Sequence, residues 1–255
     1  GGRAPRALSP GREPTVLTAD APETSLRIVA EAGRGGAGTV YEAIDDVLER
    51  RVALKVYHEP RAERAKLERE ARTAVALAGA GIVRVFDVDL ERGLLVMEWL
   101  AGGSLKQRLA ARDRSYLLPL SRWLLPLLDA IGRVHAAGVV HADLKPANVM
   151  FRAPGEPVLS DFGLAQRADA AIEGGSVGYM SPERVLGTAR GASEDLYALG
   201  RLVEDVWAAL ELDPNLGSGF SVPLLGPVET RPRSVAEVRA LVESLARRGL
   251  FPGAA

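Results

Sequence analysis

"HADLKPANVM" spans His141 to Met150. It sets an acid (Asp143), a base (Lys145) and an amide (Asn148) at offsets of two and five. A free carboxylate at such a spot suits a positioned base for a hydroxyl proton, and a cation beside it suits negative charge that builds during group transfer. A second acid follows in "SDFGLA" (160–165). Asp161 and Asn148 together offer the oxygen acceptors that a hard divalent cation prefers.

Upstream of this stretch the chain reads as a sheet. "LRIVAEAG" (26–33), "GTVYEAID" (38–45) and "RRVALKVY" (50–57) alternate apolar and polar residues, the period of half-buried strands. "IVRVFDV" (82–88) and "LLVMEW" (94–99) add two more. Between them, 61–78 is dense in Ala, Arg, Glu and Leu. Its Leu67, Ala71, Ala74 and Ala78 recur at helical spacing. "GRGGAGTV" places Gly33, Gly35 and Gly38 as G-x-G-x-x-G followed by Val40. Glycines there let backbone N–H groups approach phosphate oxygens. A dinucleotide-binding fold would need a helix after the loop, whereas here a strand follows, which fits a hairpin folded over a nucleotide. In "VALK" (52–55), Lys55 lies inside an apolar alternation beside Ala53. Glu63, Glu68 and Glu70 on the following helix compete to pair with it, and Glu70 fits best because it borders the apolar face.

Downstream the period turns helical. Ser104 and Gln107 form a capping box. Leu124, Leu127, Leu128, Ile131, Val134 and His135 give one apolar helix face, closed by Gly138, with Pro126 expected to kink it. Further helices are expected over 195–210 and, from a second capping box at Ser234 and Glu237, to about Arg247. Residues 214–227, rich in Gly and Pro, read as loop. The order is a small antiparallel sheet lobe with one main helix, then a helical lobe: an α+β, two-lobed chain.

Composition bounds the function classes. The chain has 255 residues, 47% of them apolar and 25% charged, with net charge −1. That balance favours neither a nucleic-acid partner nor an anionic membrane. The absence of cysteine excludes disulfides and thiolate metal sites and fits a reducing, cytoplasmic setting. The most leucine-rich stretch is broken by Arg122, Asp129 and prolines, so no bilayer span is expected. Residues 1–25 carry four prolines and three arginines balanced by three acids, and read as a flexible leader. The opening Gly-Gly lacks a Met and a signal-peptide pattern, so the chain reads as a fragment of a longer one.

Taken with "GSVGYMSPE" (175–183), these motifs occur in the order and near the spacing of the serine/threonine protein kinases, and the chain resembles their bacterial, eukaryotic-like members over about 26–245. The resemblance implies a kinase domain over 26–250, with a sheet lobe to about 98 and a helical lobe from about 101. It also implies roles. Gly33, Gly35, Gly38, Val40 and Ala53 would cover ATP. Lys55, held by Glu70, would contact its α- and β-phosphates. Met97 would be the gatekeeper, with adenine on the backbone of Glu98 to Leu100. Asp143 would take the hydroxyl proton, and Lys145 would neutralise the γ-phosphate. Asn148 and Asp161 would hold Mg²⁺ or Mn²⁺. Glu183 would pair with Arg231, Asp195 would anchor the catalytic loop, and His141 and Phe162 would pack. His58 and His135 receive no role. Protein Ser/Thr hydroxyls would be the substrates.

Three departures from the family pattern stand out. Ala142 replaces the usual arginine. The activation segment, 161–183, is 23 residues long without a Thr, and after Phe162 its hydroxyls are Ser176, Tyr179 and Ser181. Only 30 residues separate Gly200 from Arg231, so the helical lobe is shortened. The first two suggest a segment that works unphosphorylated. The third puts docking of protein substrates in doubt and favours one alternative, a small-molecule phosphotransferase of kinase-like fold. A pseudokinase scaffold that binds nucleotide is a second alternative, though its usual signature, loss of the Lys, the catalytic Asp or the metal Asp, is absent here.

Overall fold

The computed structural model describes residues 26–172, 174–189 and 191–248; the proline-containing leader, 1–25, lies outside them. The sheet lobe is built on β1 (Leu26–Arg34), β2 (Gly38–Asp45), β3 (Arg50–Tyr57), β4 (Val85–Asp89) and β5 (Leu94–Glu98). They form one antiparallel sheet in the order β1-β2-β3-β5-β4. The alternation of β3 decides the layering. Val52 and Leu54 turn to one face, where they pack with Ala43, Leu26, Ile28 and Leu94. Ala53 and Tyr57 turn to the other and join the main core, with Lys55 in line between them.

Helix α1 (Pro60–Ala76) covers that second face. Pro60 opens it, where a missing N–H costs nothing. Leu67, Glu70, Ala71 and Ala74 form its buried stripe. The helix ends earlier than its periodicity suggests: Leu77, not Ala78, makes the last buried contact. The strand expected from Ile82 also starts later, at Val85. Ile82 and Val83 are drawn instead to the other lobe, where Val83 N donates to Leu159 O (3.0 Å) and Leu159 N donates to Gly81 O (2.8 Å).

The helical lobe starts with α2 (Leu105–Ala110), whose Ser104–Gln107 capping box is fully formed. Next come α3 (Arg114–Leu117) and α4 (Leu120–Ala136), the latter continuous through Pro126. The expected leucine face of α4 is buried, and it is the spine of the lobe. Two short hairpin-like pairs, β6 (Val139–Val140) with β9 (Gln166–Arg167) and β7 (Val149–Phe151) with β8 (Pro157–Leu159), frame the loop that contains the opening motif. After α5 (Pro182–Val185), α6 (Ser193–Leu210) runs through the lobe.

The loop reading of 214–227 is overturned. Pro214–Leu225 is a helix, α7, that packs along α6. Phe220 and Leu224 are fully buried there, so tertiary burial outweighs the poor helix propensity of its glycines and prolines. Pro214 sits at the first turn, where a missing N–H costs nothing, while Pro223 lies inside the last turn and removes one helical hydrogen bond. A Cβ on Gly200 of α6 would lie 2.9 Å from Leu224 Cβ, so glycine there allows the two helices to approach. One 12-residue helix thus fills the shortened region. Finally, α8 (Val235–Arg247) begins at Ser234, whose side chain accepts from Glu237 N, while the Glu237 carboxylate accepts from Arg233 N rather than from the capping residue. Among the described residues no helix is long and apolar enough to cross a membrane.

Candidate active site

The site lies where the sheet lobe meets β7–β8. Four strands, β1, β2, β3 and β5, bring in the upper half. β1 and β2 turn at the glycine motif, with Gly35 N donating to Gly38 O (2.9 Å). Gly38 is demanded by packing, since a Cβ would fall 2.5 Å from Val56 O. At Gly33 a Cβ would meet nothing, and at Gly35 only Gly38 O at 3.8 Å, so the protein's own contacts do not require glycine there. His58, unassigned from sequence, fastens this arm from β3: its N donates to Ala37 O (3.0 Å) and its ring lies 2.9 Å from Thr39 Oγ1.

On β3, the Lys55 ammonium reaches Glu70 Oε1 and Oε2 at 2.9 and 2.8 Å, and Asp161 Oδ1 at 3.2 Å. Glu63 and Glu68 face away, pairing with Lys66 and Arg72. Burial acts to lower the Lys55 pKa, but the carboxylates of Glu70 and Asp161 outweigh it and hold the group charged. Burial raises Glu70, with Lys55 opposing. Burial also works against ionisation of Asp161, yet Lys55 more than offsets it and keeps that carboxyl below its usual range. Asp161 itself has a left-handed backbone, φ +62°. Met97 on β5 sits opposite Ala53. The Glu98 side chain turns aside to Arg152 (2.7 and 3.0 Å) and to Arg84 N (2.9 Å), so only its backbone borders the cleft. Val40, Ala53, Met97 and Leu100 share one apolar cluster with Met150 of β7, which sequence reading missed.

The lower half is the loop after β6, and one buried carboxylate shapes it. Asp195 of α6 accepts from His141 N and Ala142 N, both at 2.9 Å, and meets His135 Nε2 at 2.8 Å. Burial raises its pKa, but these partners reverse the effect and hold it low. Ala142 is forced into the left-handed region, φ +65°. His141 Nε2 lies 3.1 Å from Ser160 O while its Nδ1 faces Asp143 N at 3.3 Å, a pattern that one neutral tautomer satisfies. The Phe162 ring packs against the His141 ring at a tilt of 53°, with centroids 4.9 Å apart. So His135 and His141 position the loop from both sides.

The chemistry-bearing groups then converge. Asp143 Oδ2 accepts from Lys145 Nζ (2.7 Å) and Asn148 Nδ2 (3.1 Å). Asp143 Oδ1 accepts from Ser176 Oγ (2.8 Å), which in turn accepts from Lys145 Nζ (2.7 Å). Ser176, read from sequence only as a hydroxyl of the activation segment, is therefore part of the acid–base cluster. Its place follows from a contact 33 residues long in sequence, which no local pattern encodes. The other two hydroxyls are also engaged. Tyr179 OH donates to Asp205 Oδ2 (2.5 Å) and fully buried Ser181 Oγ donates to Glu194 Oε1 (2.7 Å). Glu183 pairs with buried Arg231, which also donates to Gly226 O (3.0 Å). Burial acts to raise Glu183, and Arg231 reverses this and lowers it. No group of three or more His, Asp or Glu side chains gathers as a metal cage among the described residues. Asp161 and Asn148 carry the side-chain oxygens that would hold a hard divalent cation, whose remaining ligands would be phosphate and water oxygens.

The protein kinase domain family matches residues 26–211. A probable serine/threonine-protein kinase, pknA2, of Bifidobacterium longum is 36% identical over 193 residues, 70% of this chain and 26% of that protein. The DNA damage-responsive serine/threonine-protein kinase RqkA of Deinococcus radiodurans is 35% identical over 192 residues, 69% of this chain and 28% of its own. The serine/threonine-protein kinase PknL of Mycobacterium tuberculosis is 33% identical over 191 residues, 70% and 48% respectively. The match thus spans from about a quarter to about half the length of these relatives. With the two-lobed α+β architecture and the family match over 26–211, the chain belongs to the protein kinase family, among its bacterial-type serine/threonine members.

Proposed function

We propose that this chain transfers the γ-phosphate of ATP to Ser or Thr hydroxyls of protein substrates in the cytoplasm, and that it does so without phosphorylation of its activation segment. The observation that carries the reading is that the β7–β8 pair joins two clusters, Lys55–Glu70–Asp161 and Asp143–Lys145–Asn148: Ser160, next to Asp161, donates from its N (3.0 Å) and its Oγ (3.2 Å) to Asn148 O. Asp143 takes the proton of the acceptor hydroxyl as its oxygen bonds to phosphorus and the bond to the ADP oxygen breaks. Lys145 and Lys55 face the charge that spreads over the phosphate oxygens, the main task in so loose a transition state. Asp161 and Asn148 would hold the divalent ion, which would supply further positive charge. Gly33 and Gly35, which no internal contact requires, suit a surface that phosphate oxygens approach. Val40, Ala53, Met97 and Met150 suit an adenine ring, and Glu98 to Leu100 offer it backbone.

Independence from phosphate is supported by what surrounds Ala142. Its methyl packs in a cluster with Val140 and Ile172, so an apolar contact ties segment to loop where the family has an arginine. Ser176, Tyr179 and Ser181 each already bond a neighbour. Protein produced with a phosphatase and free of phosphate by mass spectrometry should label a generic protein acceptor from γ-labelled ATP at full rate, while Asp143→Asn should lose ~10²-fold or more. A requirement for phosphate at any of the three hydroxyls would overturn the second half of the reading. Failure to label protein, with or without label on an added small molecule, would overturn the first.

A further inference from the structure

Tyr57 closes β3 two residues past Lys55, on the same face, and is buried. Its hydroxyl donates to Glu70 Oε2, the carboxylate oxygen that also takes Lys55 Nζ at 2.8 Å. Its ring lies 5.0 Å from that ammonium. The Tyr57 backbone stands opposite Gly38, the last glycine of the phosphate-facing turn, and a Cβ on Gly38 would come 3.2 Å from Tyr57 Cα. One residue therefore touches the glycine turn by its backbone, the ammonium by its ring and the helix carboxylate by its hydroxyl.

We infer that Tyr57 is a positioning residue that holds α1 in its working place, by a bond to Glu70 that does not depend on where Lys55 is engaged. Lys55 alone is a divided tie, because it also reaches Asp161 at 3.2 Å. Any further demand on the ammonium weakens its hold on Glu70. Among the described residues the Tyr57 hydroxyl has a single partner and makes no such compromise. It also favours ionised Glu70 against the burial that raises this carboxyl. The groups facing Glu70 are Lys55 and Tyr57 from β3 and Asp161 from the segment after β8.

The inference rests on the phosphotransfer reading only for its kinetic readouts. Tyr57→Phe keeps the ring and its packing and removes one hydroxyl. The full chain, Tyr57→Phe, Glu70→Leu and the double variant form a cycle that isolates the bond, since leucine is of similar volume and accepts no hydrogen bond. Amide hydrogen exchange without nucleotide is the first readout. Exchange in the turn of α1 that bears Glu70 should rise ~10-fold in Tyr57→Phe, the scale of one hydrogen bond to a charged group. It should rise less than ~2-fold further when Tyr57→Phe is added to Glu70→Leu. In kinetics, kcat/KM for Mg-ATP should fall ~10-fold, and its acid limb should move to higher pH because Glu70 protonates more readily. Wild-type exchange in Tyr57→Phe, or an equal effect in the Glu70→Leu background, would overturn the inference by showing that the hydroxyl acts apart from Glu70. If the parent chain transferred no phosphate at all, the function would fall while the exchange cycle still decided the role of Tyr57.

Discussion

Asp195→Asn is the sharpest test of how the loop is held. The side chain is fully buried and its two oxygens take three donors: Ala142 N on Oδ1, and His141 N with His135 Nε2 on Oδ2. Asparagine has the same shape but one oxygen. With its oxygen on the two-donor side, its NH₂ faces the Ala142 N–H, so one bond is lost and a buried donor is orphaned. Hydrogen bonds to a charged group contribute about 1.5–3 kcal/mol and an orphaned donor costs about 1–3 kcal/mol. The sum is ~2.5–6 kcal/mol, a large share of the 5–15 kcal/mol typical of a domain. Asp143 follows Ala142 directly, so its carboxylate should shift and phosphotransfer should fall ~10²-fold, the scale of a misplaced reacting group. Urea unfolding at neutral pH and acceptor labelling measure the two effects. Acid supplies an independent check. The folded pKa of Asp195 lies below an unfolded value of about 3.9. Its stabilisation is thus fully present above that value and is lost as pH falls through the folded pKa. The gap between the parent chain and Asp195→Asn should therefore narrow below about pH 4. A variant within ~1 kcal/mol of the parent at neutral pH, with an unchanged acid limb, would refute the anchoring role.

Glu70→Gln should cost about 3 kcal/mol in unfolding and lower phosphotransfer strongly, because it uncouples a buried ion pair. Glu68→Gln, in an i,i+4 pair with exposed Arg72, should stay within ~0.5 kcal/mol, and Glu63→Gln, in a half-buried i,i+3 pair, within ~1 kcal/mol; losses equal to that of Glu70→Gln in urea titrations would displace Glu70 from its role. Gly200→Ala should lower thermal stability by ~1 kcal/mol net, as overpacking against Leu224 exceeds the gain in helix propensity, and a stabilised variant would mean that α7 does not pack on α6 there. Ala142→Arg should cost at least ~2 kcal/mol by denaturation, since it puts a guanidinium among Val140 and Ile172; a neutral result would show that the loop tolerates the family residue without a phosphate to meet it.

What could be read from sequence follows the range of the interactions. The alternation in 50–57, the stripe on α1 and the Ser104–Gln107 cap are local periodicities, so strands, helix and cap fall where expected. The choice of Glu70 over Glu63 and Glu68 also rests on one helix face. The misses are tertiary. Residues 214–225 hold turn-formers throughout, and only burial of Phe220 and Leu224 against α6 makes them helical. Ile82 and Val83 have strand composition, but Leu159 of the other lobe claims their hydrogen-bonding groups. His135, His58, Ser176 and Tyr57 all act through partners 13 to 60 residues away. A spacing rule sees none of these. Ser176 was visible as a hydroxyl and Tyr57 as the end of an alternation, and neither sign named the partner.

The link between the Gly81–Val83 segment and Leu159 has a mechanical consequence. Two backbone hydrogen bonds and an isolated bridge pin the small lobe to β8 at this spot. A second tie stands beside it, where Glu98 of β5 accepts from Arg152 (2.7 and 3.0 Å). Both lie on the β4–β5 side of the sheet, and the β1–β2 turn lies at the opposite edge. Any rocking of the sheet lobe about these ties would move Val83 least and the turn that bears Gly33 and Gly35 most, since that rim has the longest lever arm.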